Sequence, residues 1–137
     1  MNDRRIDGFF YGLFMDSDLL HESGVAAENP RRGYVDGYAL RIGRRATLVP
    51  STESRAYGMV FALTHGELQR LYAAAGLEEY RPEAVLVRLL AGGEVPALCY
   101  NLRKPPQPGE ANAEYSARLR VALSKLDFPA EYVASVR

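Results

Sequence analysis

The sequence predicts an α+β fold, in which hairpin-linked strands form a small closed or nearly closed β-barrel with flanking helices. Several strand-forming segments are separated by short turns, an amphipathic helix interrupts them midway, and two helical segments close the chain. Barrel closure is expected because it leaves no strand edge exposed. With 137 residues, of which 47% are hydrophobic, residues 1–137 are expected to fold as one domain without a disulfide or a metal.

The strand segments are recognised by aromatic and β-branched residues between turn residues. They are predicted at residues 6–11, 33–42, 46–49, 56–63, 84–90 and 95–100. Gly43 and Arg44 predict one hairpin turn, and Gly92 and Gly93 predict another. Residues 50–54 are predicted to be a loop, and residues 104–109, with three prolines, a stiff connector. Because segment 56–63 is apolar on both faces, we expect it to be central.

Helices are predicted at residues 16–22, 64–76, 113–126 and 129–135. The second begins with a capping box, in which Thr64 and Glu67 satisfy each other's backbone N–H groups. Apolar residues at helical spacing then form an inward stripe of Leu68, Leu71, Tyr72 and Ala75. Gly76 is expected to end this helix.

Charge and composition exclude several classes of protein. The 17 basic residues balance 17 acidic ones and the pI is about 6.7, so we expect neither a nucleic-acid nor a membrane partner. The single cysteine, Cys99, excludes an internal disulfide, which favours a cytoplasmic location. The apolar start of the chain is too short for a membrane span and has no signal-peptide cleavage site. The arginines at 31, 32, 41, 44 and 45 are interpreted as a solvated surface run, with anion binding as the alternative.

No metal or cofactor is expected. His21 and His65 form no ligand cluster, Cys99 lies in an apolar strand typical of inert core, and no phosphate-binding glycine pattern is present. The remaining candidate is the turn of residues 11–15, where the first predicted strand stops at Gly12. Successive N–H groups at such a turn can hold a carboxylate or a developing oxyanion, although an ordinary strand-to-helix turn has the same pattern.

Several segments, taken in order, resemble the γ-glutamylcyclotransferase-like family. Tyr11 and Gly12, followed by three residues and a short helix, are similar to the family's YGSNL or YGTLM signature. The likeness continues through the strand at 57–63, the helix at 64–76 and Tyr80 with the strand after it. The proline-rich segment 104–109 and the helix after it are similar to the end of the animal branch of the family.

The resemblance implies a small mixed β-barrel with flanking helices and a cavity at one end. It also implies a transferase or lyase type of chemistry, in which the α-amine of a γ-glutamyl compound attacks its own γ-carbonyl. The products are 5-oxoproline and an amine or amino acid. In the family, a glutamate before a glycine is the base, and the YGxxx turn supplies N–H donors to the oxyanion.

The sequence departs from this pattern at the base. Aligning Leu71 and Gly76 with the family places Ala75 at the glutamate position, and an alanine cannot transfer protons. Glu78 and Glu79 follow shortly after, and one of them could fold back as a displaced base; the alternative is that both are solvated loop carboxylates.

The turn departs from the family as well, because Leu13 and Phe14 make the expected cavity rim narrower and more apolar. The resemblance assigns ligand contacts to a set of six residues: Tyr11, Gly12, Leu13, Phe14, Met15 and Tyr80.

Two functions are therefore expected. The first is a γ-glutamylcyclotransferase-like protein whose release of 5-oxoproline is weak or absent. The second is a non-catalytic member of the fold that binds a small ligand or a protein partner. The ligand implied is a small γ-glutamyl or carboxylate-bearing compound, and the oligomeric state, a homodimer included, is left open.

Overall fold

The barrel is formed by five strands. The computed structural model describes residues 4–74 and 76–137. Its strands are β1 (Arg5–Phe10), β2 (Glu28–Ile42), β3 (Ala46–Thr64), β4 (Tyr80–Leu89) and β5 (Glu94–Leu102), which close in the order β1-β3-β2-β4-β5. The pairs β1–β3, β2–β3, β2–β4 and β4–β5 are antiparallel, and β1 meets β5 in parallel. This arrangement confirms the predicted mixed β-barrel with flanking helices.

Helices connect the strands and close the chain. They are α1 (Ser17–Glu22), α2 (His65–Tyr72), α3 (Ala113–Lys125) and α4 (Ala130–Ser135), and a short 3₁₀ turn spans Leu13–Met15. In the part of the chain that the structure describes, no helix is long and apolar enough to cross a membrane.

Helix α2 begins as predicted and ends early. The Thr64 hydroxyl accepts a hydrogen bond from the Glu67 amide at 3.1 Å, and the Glu67 carboxylate accepts one from the Thr64 amide at 2.9 Å. The helix stops at Tyr72, so its predicted extension to Gly76 is wrong. Gly76 has a φ of +89°, which glycine adopts without steric cost. Ala75 lies outside the described residues, and its predicted place on the inward stripe is therefore not described.

Strand β3 is longer than predicted. Residues 50–54, predicted to be a loop, are strand, and Pro50 pairs with Tyr38 of β2. The register between β2 and β3 shifts between Asp36 and Tyr38, where Gly37 has a φ of +85°. Because this irregularity absorbs the mismatch between the two strands, the long hairpin continues through a segment rich in turn-forming residues.

Two hydrophobic clusters meet at the end of β1. Successive side chains of a strand point to opposite faces, so Phe9 and Phe10 belong to different clusters. The Phe9 cluster consists mainly of strand residues, whereas the Phe10 cluster joins the strands to residues of all four helices. The chain that leaves β1 at Tyr11 therefore passes from one core cluster to the other.

Candidate functional site

A pocket of about 390 Å³ lies over the turn that follows β1. This volume is within the roughly 300–1,000 Å³ typical of small-molecule sites. Five parts of the chain line it: the end of β1 with the turn and α1, the β2–β3 connection, the end of α2, the segment leading into β4, and α3. The lining residues are Phe10, Tyr11, Gly12, Leu13, Phe14, Leu19, Arg44, Arg45, Ala46, Tyr72, Gly76, Leu77, Tyr80 and Tyr115.

Tyrosines form much of the pocket wall. The buried Tyr11 hydroxyl donates a hydrogen bond to the Tyr100 carbonyl at 2.7 Å, and the Tyr80 hydroxyl donates to the Ala46 carbonyl. The Tyr72 ring stacks on Tyr100 with 4.0 Å between centroids. Burial raises the pKa of Tyr11 and that of Tyr72 well above the usual value. These phenols therefore stay neutral at physiological pH.

Several backbone N–H and C=O groups of the turn after β1 are already hydrogen-bonded within the protein. The Gly12 carbonyl accepts from the Met15 amide at 3.0 Å, and the Leu13 carbonyl accepts from Asp16 at 3.1 Å. The Leu13 amide donates to the Tyr115 hydroxyl of α3 at 3.2 Å. Within the described residues, the Phe14 amide donates to no hydrogen-bond partner.

Two arginines from the β2–β3 connection supply positive charge. Glu110 and Asn112 position this connection, since their side chains bond the Arg44 amide at 3.4 Å and the Arg44 carbonyl at 3.3 Å. Arg45 forms a 3.0 Å ion pair with Glu79, whose side chain is 76% exposed. In the described part of the chain, no carboxylate lines the pocket. The pocket therefore combines aromatic walls with two arginines, of which Arg45 is paired with an exposed carboxylate.

Five of the six residues expected to contact a ligand line this pocket: Tyr11, Gly12, Leu13, Phe14 and Tyr80. The Met15 side chain is instead buried in the core, with 1% of its surface exposed.

The two glutamates considered as displaced bases lie outside the lining set. Glu78 accepts a hydrogen bond from the Gly76 amide at 2.9 Å, and Glu79 pairs with Arg45 as described above. Both carboxylates are exposed, as expected for solvated loop residues.

The cysteine and the two histidines lie outside the pocket lining. Cys99 is fully buried, and burial raises its thiol pKa far above the usual range, which fits inert core. His21 and His65 are exposed. Among the described residues, no group of three or more His, Cys, Asp or Glu side chains could hold a metal ion.

Sequence reasoning missed Arg44, Arg45, Tyr72 and Tyr115 as pocket residues. Arg44 and Arg45 belong to the arginine run for which anion binding was the alternative interpretation. Tyr72 was expected to face inward as core, and Tyr115 lies in the helix that carries the family resemblance at the end of the chain. Each residue had a signal, but no local pattern placed the four together.

The chain is thus a small α+β protein with a closed five-stranded barrel and a pocket over its YGxxx turn. Residues 8–118 match the family described as Gamma-glutamyl cyclotransferase, AIG2-like. The chain belongs to this family. No curated protein sequence matches the chain.

Solved structures share the fold at low sequence identity. An uncharacterized protein from Homo sapiens, loc79017, is 18% identical, with a TM-score of 0.80 over 98% of this chain and 89% of that one. A structure described as Gamma-glutamyl cyclotransferase is 18% identical, with a TM-score of 0.76 over 97% of this chain and 88% of that one. YkqA from Bacillus subtilis is 22% identical, with a TM-score of 0.77 over 95% of this chain and 52% of that one. At these identities the likeness shows the fold.

Proposed function

We propose that this chain binds a small γ-glutamyl or related carboxylate-bearing compound in the pocket and releases 5-oxoproline weakly or not at all. One observation carries the proposal: the described lining combines two arginines with aromatic walls and contains no carboxylate. The positive charge favours an anionic ligand, whereas the lack of an acidic group in this lining removes the usual source of a base.

Each part of such a ligand has a chemical counterpart in the pocket. A guanidinium group binds a carboxylate through two parallel hydrogen bonds, and within the described residues the Arg44 side chain has no acidic partner. The rings of Phe14, Tyr72 and Tyr80 offer apolar surface to the methylene groups of a glutamyl chain. Arg44 is therefore our principal candidate for binding the carboxylate.

Turnover requires proton transfer in addition to binding. The α-ammonium must lose a proton before its nitrogen attacks the γ-carbonyl, and the leaving amine must gain one when the amide bond breaks. Tyr11 and Tyr72 are poor bases because burial favours their neutral forms, and arginine remains protonated in proteins. Lacking a general base typically lowers a rate by roughly 10²–10⁴-fold.

The catalytic half of the proposal is tested by Ala75→Glu. We expect little 5-oxoproline from γ-glutamyl amino acids or γ-glutamyl amines with the natural chain. The substitution should raise release by at least about tenfold, because Leu13 and Phe14 line the pocket without closing it. Ala74→Glu is the matched control, since its exposed neighbouring position should give no gain. Robust release by the unsubstituted chain would overturn this half.

The binding half is tested by Arg44→Gln with 5-oxoproline as the probe in isothermal titration calorimetry. Losing a charge-assisted hydrogen bond should weaken binding by roughly tenfold or more. Arg41→Gln is the matched control, because Arg41 belongs to the same arginine run and is exposed outside the lining set. Equal affinity of the two variants would contradict the assignment of Arg44.

A second candidate is a slow cyclotransferase with Glu79 as the displaced base. The observation that favours it is the 3.0 Å ion pair with Arg45, which brings the carboxylate next to a lining residue. If the natural chain releases 5-oxoproline, Glu79→Gln should lower the rate by roughly 10²-fold or more while Glu78→Gln leaves it unchanged. Two fully active variants would dismiss this candidate.

A further inference from the structure

Tyr115 reaches the turn from the opposite end of the sequence. It lies on α3, is 102 residues away from Leu13, and its hydroxyl accepts the Leu13 N–H at 3.2 Å. The Leu13 amide is one of the groups that the family resemblance assigns to the ligand. In this structure the amide donates to a side-chain oxygen instead, and that side chain itself lines the pocket.

Gly12 permits this close approach. A Cβ atom built on Gly12 would overlap the Tyr115 hydroxyl oxygen, whereas the backbone angles of Gly12, φ −109° and ψ −152°, lie in the extended region open to other residues. The requirement for glycine at position 12 is therefore space for the phenol rather than an unusual backbone conformation.

The Tyr115 hydroxyl still has a proton to donate. A phenol carries one donor and can accept hydrogen bonds as well, and the Leu13 amide uses only an acceptor position. Within the described residues, no acceptor takes the Tyr115 proton. Burial raises the Tyr115 pKa, partly offset by the Leu13 hydrogen bond, so the group stays neutral and keeps its proton. A hydrogen bond accepted from an amide also polarises the O–H toward its next partner.

We propose that Tyr115 selects ligands that carry an acyl or amide oxygen, by donating its hydroxyl proton to that oxygen inside the pocket. This inference rests on the proposed ligand binding and adds a residue and a selection rule to it. The Leu13 donor is then replaced by the phenol hydroxyl, whose oxygen lies 3.2 Å from the Leu13 nitrogen. A ligand of the same shape without this oxygen leaves the hydroxyl without an acceptor and is bound less tightly.

The test compares two probes and two side chains. 5-Oxoproline and cyclopentanecarboxylate are both five-membered-ring carboxylates, and of the two only 5-oxoproline carries a ring carbonyl. We expect the natural chain to bind 5-oxoproline roughly tenfold more tightly, as measured by titration calorimetry. Tyr115→Phe should lower its affinity for 5-oxoproline by about that factor and leave the affinity for cyclopentanecarboxylate nearly unchanged. Tyr34→Phe, outside the pocket, should keep the full preference.

Gly12→Ala tests the same contact from the other side, because the added methyl displaces the Tyr115 hydroxyl. It should also remove the preference for 5-oxoproline, and it replaces Tyr115→Phe if that variant does not fold. Equal weakening of both probes by the variants would mean a purely structural role and would overturn the inference while leaving the proposed function intact. An unchanged preference in the variants would overturn it as well. If the natural chain binds neither probe, the proposed function and this inference fail together.

Discussion

Glu67 shows how one side chain ties α2 to the barrel. In addition to the predicted capping bond made by Oε1, its Oε2 atom accepts a hydrogen bond from the Ala26 amide at 2.8 Å. The guanidinium group of Arg5 in β1 lies 3.8 Å from Oε1. Burial by itself would raise the Glu67 pKa, but the bonds from Thr64 and Ala26 and the charge of Arg5 outweigh it and lower the pKa. The ionised form is therefore the one that stabilises the folded chain.

We predict that Glu67→Gln lowers the free energy of unfolding by about 1–3 kcal/mol at pH 7, because an amide cannot accept from both backbone N–H groups equally well. The pKa is lower in the folded chain than in the unfolded one, where it is about 4.3. The stabilisation is therefore present above that value and is lost as the pH falls through the folded pKa. Urea unfolding at pH 7 and pH 3 measures both effects.

Glu114→Gln is the control for this prediction. Glu114 is an exposed acid in the first turn of α3, so its substitution should change stability by less than about 0.5 kcal/mol. A loss for Glu67→Gln that is the same at both pH values would contradict the role assigned to the ionised carboxylate.

At the residue scale, the sequence predicts local motifs well and long-range partners poorly. The capping box depends on two residues three apart, and the structure confirms it. The contact of Leu13 with Tyr115 spans 102 residues and leaves no local pattern. Met15 is a second example. Its place in the YGxxx segment predicts a ligand contact, but packing against distant helices buries it in the core.

At the element scale, β1 and β3 approach each other closely at Gly58. A Cβ on Gly58 would overlap the Phe10 carbonyl and lie 2.8 Å from the Phe9 ring. Phe10 is the last residue of β1, and the pocket turn follows it directly. The spacing of these two strands therefore positions the turn.

We predict that Gly58→Ala destabilises the chain by about 1–3 kcal/mol or more, because overpacking must separate β1 from β3. The matched control is Gly66→Ala in the first turn of α2, where the nearest atom lies 3.6 Å from the added Cβ. This change should be neutral or stabilising by up to about 1 kcal/mol, since alanine favours a helix more than glycine does. Chemical denaturation compares the two variants, and an equal response would contradict the packing argument.

The boundaries of helices and strands can be predicted only where a local sequence motif marks them. The start of α2 is confirmed because capping is local, whereas its end at Tyr72 is not marked by any residue that breaks a helix. The continuation of β3 through 50–54 depends on pairing with β2 across the irregularity at Gly37. Tertiary pairing here overrides the local preference of proline and serine for a loop.

At the scale of the whole molecule, the pocket is a product of barrel closure. Its lining comes from five separated parts of the chain, and β1 meets both β3 and β5. The fold class could be predicted from the pattern of strands and helices, and the turn and Tyr80 could be predicted from their likeness to the family's motifs. The cationic side of the pocket could not, because Arg44 and Arg45 reach it only through the hairpin and its contacts with Glu110 and Asn112.

The charge distribution of this assembled pocket gives a final prediction, which rests on the proposed ligand. Arginine side chains are not deprotonated in proteins, and burial raises the pKa values of Tyr11, Tyr72 and Tyr115. The affinity for 5-oxoproline should therefore change by less than about twofold between pH 6 and 9, since the described lining contains no histidine, cysteine or carboxylate.

Salt supplies the contrasting measurement. Raising the ionic strength from about 0.05 to 0.5 M shortens the Debye length to a few ångströms and should weaken binding several-fold, because Arg44 is exposed at the pocket. Arg44→Gln should show a smaller dependence on salt than the natural chain, and Arg41→Gln the same dependence. An affinity for 5-oxoproline that changes with pH between 6 and 9 would instead show that a further ionisable group acts on the ligand. An affinity of the natural chain that does not change with ionic strength would contradict the role of Arg44.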